Sequence, residues 1–167
     1  MIETERLLLR EPRMDDAEAL MAVFGDCEAM RYIGDGSVRT LEVVRERMQR
    51  KLASLREHGV TLYTVEVRET GEIIGDCGAC PIDWKGPDLE LGYRLRPSAW
   101  GKGYATEAGR AAVAYVFRAT QIGRLLAVTD LRNTASQRVL AKLGFVDRGM
   151  TDVYYGETLR LFEVLRA

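Results

Sequence analysis

The stretch that most constrains this chain runs from Leu89 to Ala108: an alternating segment, a proline, two closely spaced glycines and an alanine-rich run. Side chains alternate along a strand, so Leu89, Leu91, Tyr93 and Leu95 share one face and Glu90, Gly92 and Arg94 the other. Pro97 ends the strand, because proline cannot donate to a ladder. Gly101 and Gly103 then flank Lys102 just before a helix opening at Tyr104 and Ala105. Glycine turns the backbone without a Cβ in the way, so successive N–H groups can point outward, and the helix start adds partial positive charge. The expectation is an anion held by the amides of Gly101 to Ala105, with Lys102 adding charge or simply solvated.

Three glycine-loop patterns compete for that anion. The P-loop needs Ser or Thr after its lysine, and Gly103 follows Lys102, so it fails. The dinucleotide pattern needs a third glycine where Thr106 stands, and a parallel βαβ setting. A plain glycine turn explains either glycine singly, and explains less well two of them around a lysine at a helix start.

The rest of the chain supplies the setting. Glu5 to Glu11 alternates as a strand closed by Pro12, and a short helix follows from Asp15 and Asp16 to Phe24. Asp26 to Arg39, broken by Gly34 and Gly36, suits a surface loop or a broken helical turn. Thr40 caps a longer helix with Leu41, Val44, Met48, Leu52 and Leu55 on one side, ended by Gly59. Val60 to Val67, Glu72 to Cys80 and the Leu89 strand form an antiparallel meander. Helices over Ala105 to Thr120 and Asn133 to Leu143 alternate with strands at Gly123 to Thr129, Phe145 to Met150 and Val153 to Leu165. The order β-α-α-β-β-β-α-β-α-β-β is an α/β class: a mixed, mostly antiparallel sheet of about seven strands with helices on both faces, in one domain spanning residues 1–167.

A formal net charge of −1 gives no electrostatic reason for nucleic-acid or membrane-surface binding, and no apolar run approaches a membrane span; a cytoplasmic protein is expected. Cys77 and Cys80 lie on opposite faces of a strand, and with only Cys27 and His58 besides, no zinc quartet assembles and no metal is expected. His58 reads as a polar helix end before Gly59.

Four segments in order carry a resemblance. Gly92 to Pro97, Trp100 to Ala108, Asn133-Thr134-Ala135-Ser136 and Lys142-Leu143-Gly144-Phe145 together resemble the GNAT-type N-acetyltransferase superfamily, and within it the branch of the ribosomal-protein-alanine N-acetyltransferases. The likeness spans nearly the whole chain, from Thr4-Glu5-Arg6-Leu7 onward. It implies acetyl-CoA as co-substrate and a primary amine as acceptor: a protein N-terminus first, a small amine second. The phosphate loop then places Trp100 first, Gly103 fourth and Ala105 sixth, so backbone amides from Gly101 through Tyr104 and Ala105 carry the pyrophosphate rather than a side chain at Trp100.

By the same resemblance the main chain of Tyr93, Arg94 and Leu95 pairs with the pantetheine arm, and an N–H of this strand serves the oxyanion. Asn133 resembles the residue that bonds the pantetheine, and is equally a helix N-cap by its own chemistry. Ser136, one turn on, resembles the proton donor to the coenzyme sulfur, against the alternative of a solvated helix serine; Leu140 stands where other members carry a tyrosine. Glu90 is the expected base, against the alternative of a structural carboxylate; Glu107 is explained by the helix dipole. The acceptor is expected between the Asp26 to Arg39 loop and the Tyr154 to Thr158 turn, near Asp35, Tyr154, Tyr155 and Glu157. A non-catalytic acyl-CoA sensor on the same fold is the competing reading. A monomer and a homodimer through the C-terminal strands both remain open.

Overall fold

A computed structural model describes residues 1–167 and shows one eight-stranded sheet with helices packed on both faces. The strands are β1 (Ile2–Glu3), β2 (Leu7–Arg10), β3 (Leu62–Val67), β4 (Ile73–Pro81), β5 (Leu89–Leu95), β6 (Arg124–Thr129), β7 (Val146–Thr151) and β8 (Leu159–Leu165). The helices are α1 (Asp16–Phe24), α2 (Cys27–Met30), α3 (Leu41–His58), α4 (Tyr104–Ala119) and α5 (Thr134–Lys142). Across the sheet the order is β1-β2-β3-β4-β5-β6-β8-β7, antiparallel except for β5 beside β6.

Two elements depart from the sequence reading, each for a local reason. A strand that the sequence reading lacked, β1, precedes the expected first strand, and the Thr4 hydroxyl, accepting from the Leu7 N–H at 2.9 Å, turns the chain between β1 and β2. The Asp26 to Arg39 stretch holds the expected broken helical turn, α2, whose Glu28 and Ala29 N–H groups donate to the Asp26 carboxylate. The last strand begins at Leu159, since Tyr155 and Gly156 adopt left-handed backbone and bend the 152–158 segment into a turn. Elsewhere the reading holds: Thr40 caps α3 through its hydroxyl, and Gly59 ends it in the left-handed conformation that a Cβ disfavours.

The two sheet faces build two cores. Leu89, Leu91 and Leu95 of β5 bury with Ala108, Ala112 and Val116 of α4 and Leu140 of α5. On the other face α1 and α3 close over Leu20, Phe24, Val44 and Met48. Residues 76, 78 and 80 of β4 face this second layer beside 94, 92 and 90 of β5, as their register requires. The parallel seam is the weak point: β5 and β6 pair only at Glu90 and Leu126, then splay. Backbone groups of β5 beyond that pair face an opening instead of a neighbour.

Candidate active site

The splay opens into a cavity of about 840 Å³ that runs through the sheet from the glycine loop to α2 and α3. Glu90, Tyr93, Arg94, Leu95, Trp100, Gly101, Gly103, Tyr104, Ala105, Asn133 and Ser136 all line it. Of the catalytic and coenzyme-binding residues expected from the sequence, Lys102 alone does not; its side chain is exposed and its carbonyl accepts from Arg6 Nη1 at 2.9 Å.

The loop is built for an anion. Gly101 and Gly103 take φ of +73° and +79°, which a side chain would strain, and Gly103 stands at the N-cap of α4 without a capping side chain. The N–H groups from Gly101 to Thr106 find no acceptor within the protein, so a run of oriented donors meets the positive end of a sixteen-residue helix. Such donors at a helix start fit a phosphate group. The Trp100 indole is spent on the Leu95 carbonyl at 2.8 Å, pinning the loop to β5. It also occupies one of the β5 carbonyls assigned to the pantetheine.

Arg6 is a residue that sequence reasoning passed over. Its guanidinium lies 4.6 Å from the Tyr104 ring centre, and it pairs with Glu107, which also accepts from the Thr4 hydroxyl and the Arg6 N–H. Glu107 therefore ties the N-terminal turn to α4, beyond its place in the helix dipole. Only the Thr4-Glu5-Arg6-Leu7 motif hinted at this, and nothing local told which carboxylate it would meet.

Asn133 caps α5, its Oδ1 accepting from the Ser136 N–H at 3.2 Å, while its Nδ2 makes no bond within the protein. Ser136 faces β5, and the Tyr93 hydroxyl, with a single proton to give, lies 2.9 Å from Ser136 Oγ and 3.0 Å from the Ser136 carbonyl. The Tyr93 side chain thus enters the site, although the sequence reading used only its backbone. Burial raises the Tyr93 pKa, so the phenol is protonated in the resting site.

Glu90 lies on the far side of β5, buried to 8% exposure. Burial pushes its carboxyl up to about 8, against the lowering field of Arg94. The Tyr155 hydroxyl donates to Glu90 Oε1 in a very short contact and accepts from the Asp83 N–H at 3.0 Å. Asp83, Trp84 and Tyr155 are the non-glycine residues with positive φ in this chain, and all three line this end of the cavity. Left-handed backbone at such residues costs free energy and collects at functional sites.

Of the expected acceptor-side residues, Tyr155 and Glu157 line the cavity. Tyr154 does not, and Asp35 turns back on its own loop. Ser37 and Arg39 hold the Asp35 carboxyl at about 2, and it is solvent-exposed. Cys77 and Cys80 are buried on opposite faces, and burial raises both thiols. No cluster of metal-ligating side chains forms.

The free glycine-loop amides and the buried Glu90 carboxylate thus meet one splayed seam from opposite faces of β5. Residues 6–146 match the acetyltransferase (GNAT) domain, and the chain belongs to that family. It is 34% identical over 154 residues to the uncharacterized N-acetyltransferase YoaA of Bacillus subtilis (strain 168), covering 92% of this chain and 87% of the relative. The solved GNAT-family acetyltransferase from Bacillus anthracis superposes with a TM-score of 0.81 at 26% identity, over 98% of this chain and 97% of that one. The ribosomal L7/L12 α-N-protein acetyltransferase RimL, solved with coenzyme A, has the same fold: TM-score 0.78, 19% identity, 97% and 95% covered.

Proposed function

We propose that residues 1–167 form one N-acetyltransferase domain that moves the acetyl group of acetyl-CoA directly to a primary amine. The observation that carries this reading is the pairing, through one splayed seam, of unpartnered loop amides on one side with Glu90 on the other. The thioester supplies the activated acetyl group. The loop amides from Gly101 to Ala105 hold the pyrophosphate, and Asn133 Nδ2 and the open edge of β5 hold the pantetheine arm.

Glu90, once ionised, takes a proton from the attacking amine and becomes a neutral acid. A β5 N–H at the splay stabilises the oxyanion that develops on the carbonyl. Ser136 gives a proton to the departing sulfur, and the Tyr93 hydroxyl at 2.9 Å replaces it before solvent restores both. One proton leaves the amine and one reaches the thiol, so no covalent enzyme intermediate is needed. The acceptor is an amine at the Glu90 end of the cavity, of the kind found at a protein N-terminus or on a small molecule.

Free-thiol release from acetyl-CoA across a panel of peptides and small amines tests the reading. Turnover that needs an amine and falls in both Glu90→Gln and Ser136→Ala is expected. Coenzyme binding without turnover on any acceptor would instead make the protein an acyl-CoA sensor.

A further inference from the structure

The Glu90 face of the cavity carries more positive charge than the protein neutralises. Lys51 Nζ, Arg94 Cζ and Arg47 Cζ lie 6.0, 5.5 and 4.8 Å from the centre of the Phe24 ring. Asp76 is the carboxylate within this cluster, and it is fully spent: Oδ1 accepts from Arg94 Nε at 2.9 Å, and Oδ2 lies 2.6 Å from Lys51 Nζ, in ion contact although off the hydrogen-bond axis. Arg47 is left without an anion. Its Nε is buried with no acceptor, and neither of its terminal nitrogens bonds to any protein group. The terminal nitrogens of Arg94 make no hydrogen bond within the protein either.

Both arginines line the cavity beside Glu90. Gly92 lies between Glu90 and Arg94 on their shared face of β5, and Arg94 Nη2 is 3.8 Å from where a Cβ on Gly92 would sit. Leu62 Cδ2 packs 3.2 Å from the same position, so an apolar floor separates the Glu90 carboxylate from the Arg94 guanidinium, which folds back beside Gly92, about one strand step of 6–7 Å from Glu90. A desolvated guanidinium with no partner is costly, and its planar fork suits a carboxylate or a phosphate.

We infer that the acceptor is a small amine that also carries an oxyanion group, a carboxylate or a phosphate, with the anion on Arg47 and Arg94 and the amine beside Glu90. This rests on the transferase reading and narrows it. An α-amino acid is the most compact ligand of this kind, with its amine and carboxylate on one carbon. A polyamine would place a second cation against two arginines and a lysine.

The test compares matched acceptors: α-amino acids, their aminophosphonate analogues, their carboxamides and their decarboxylated amines. Two quantities are read, kcat/KM by thiol release and the thermal shift each probe gives in the presence of coenzyme A. For the amino-acid side chain that is accepted, the acid or phosphonate is expected to exceed its carboxamide and its decarboxylated amine at least tenfold in kcat/KM. Arg47→Gln is expected to erase that preference through KM, and Arg47→Lys to restore part of it; an unchanged coenzyme A shift certifies that each variant is folded. The carboxylate and phosphonate arms show which anion is preferred. Neutral or cationic amines serving as well as the acids, or an acid preference that survives Arg47→Gln, overturns the inference. If no amine is turned over, the transferase reading fails by itself. Acid-selective thermal protection that disappears in Arg47→Gln then still supports the anion pocket, and its absence overturns it.

Discussion

In the proposed mechanism Glu90 couples chemistry and stability through one proton. Its carboxyl is raised from 4.5 to about 8 by burial, so the native state holds a proton that the unfolded chain releases between those values. The favourable contribution is therefore complete below about 4.5 and is lost as pH rises through about 8. Over that window stability is expected to fall by at most about 1.4 kcal/mol per pH unit from this group. Urea unfolding at pH 5.5 and 8.5 reads the slope, and Glu90→Gln is expected to flatten it. The same ionisation governs the rate with the opposite sense: kcat/KM is expected to rise with pH up to about 8. In Glu90→Gln that acidic limb disappears and the rate falls roughly 100-fold or more. An intact limb in the variant would move the base elsewhere.

In the proposed mechanism the acid on the other side of the seam is a pair rather than a residue. Ser136→Ala is expected to slow turnover with little change in coenzyme A affinity. Tyr93→Phe is expected to give a smaller loss of the same kind, because it removes the proton behind the serine and leaves Oγ in place. Equal rates in wild type and Tyr93→Phe would show that Ser136 is replenished by solvent alone. That pair was only half legible in the sequence. Ser136 was marked by its motif, whereas the reach of Tyr93 across to α5 depends on how far β5 and β6 diverge, which no local pattern records.

At the scale of elements, the loop and the helix it opens act as one device. Gly103→Val meets a double penalty, a φ of +79° and a side chain beside the exposed amides, so coenzyme A is expected to bind at least tenfold more weakly by calorimetry. Unaltered binding would remove the phosphate from this loop. The strand–proline–glycine–helix order was legible because each step has its own residue chemistry: alternation, a missing donor, a missing Cβ. The clamp that Arg6 places on Lys102, Tyr104 and Glu107 was not, since it joins residues about a hundred positions apart. The added strand β1 and the late start of β8 were missed for a similar reason, as side-chain contacts of Thr4 and Tyr155 set the turns beside them.

For the whole molecule, the buried ion cluster joins the two halves of the fold. Asp76 on β4 holds Arg94 of β5 and Lys51 of α3, and despite the raising effect of burial these cations keep its carboxyl well below the usual range. A depressed carboxyl stabilises above its unfolded value of 3.8, and that contribution is lost only as pH falls through the folded value. Asp76→Asn would leave two buried cations without an anion, and a loss of about 3–5 kcal/mol in unfolding free energy is expected. Chemical denaturation measures it, and a loss below 1 kcal/mol would show that the cations relax into the cavity.

What the sequence determined by itself is what short-range chemistry can write: the order of elements, which side of each strand is apolar, the glycine loop at the start of α4, and which chain segments resemble the acetyltransferase family. Those follow from periodicity, capping and backbone freedom within a few residues. Only the tertiary structure decided that β8 lies between β6 and β7, that β5 and β6 meet at a single pair, and that Glu90, Arg94 and Arg47 share one floor under Tyr155. Strand order and splay depend on packing between distant segments. The charge balance of a buried face depends on which of many arginines and carboxylates that packing brings together.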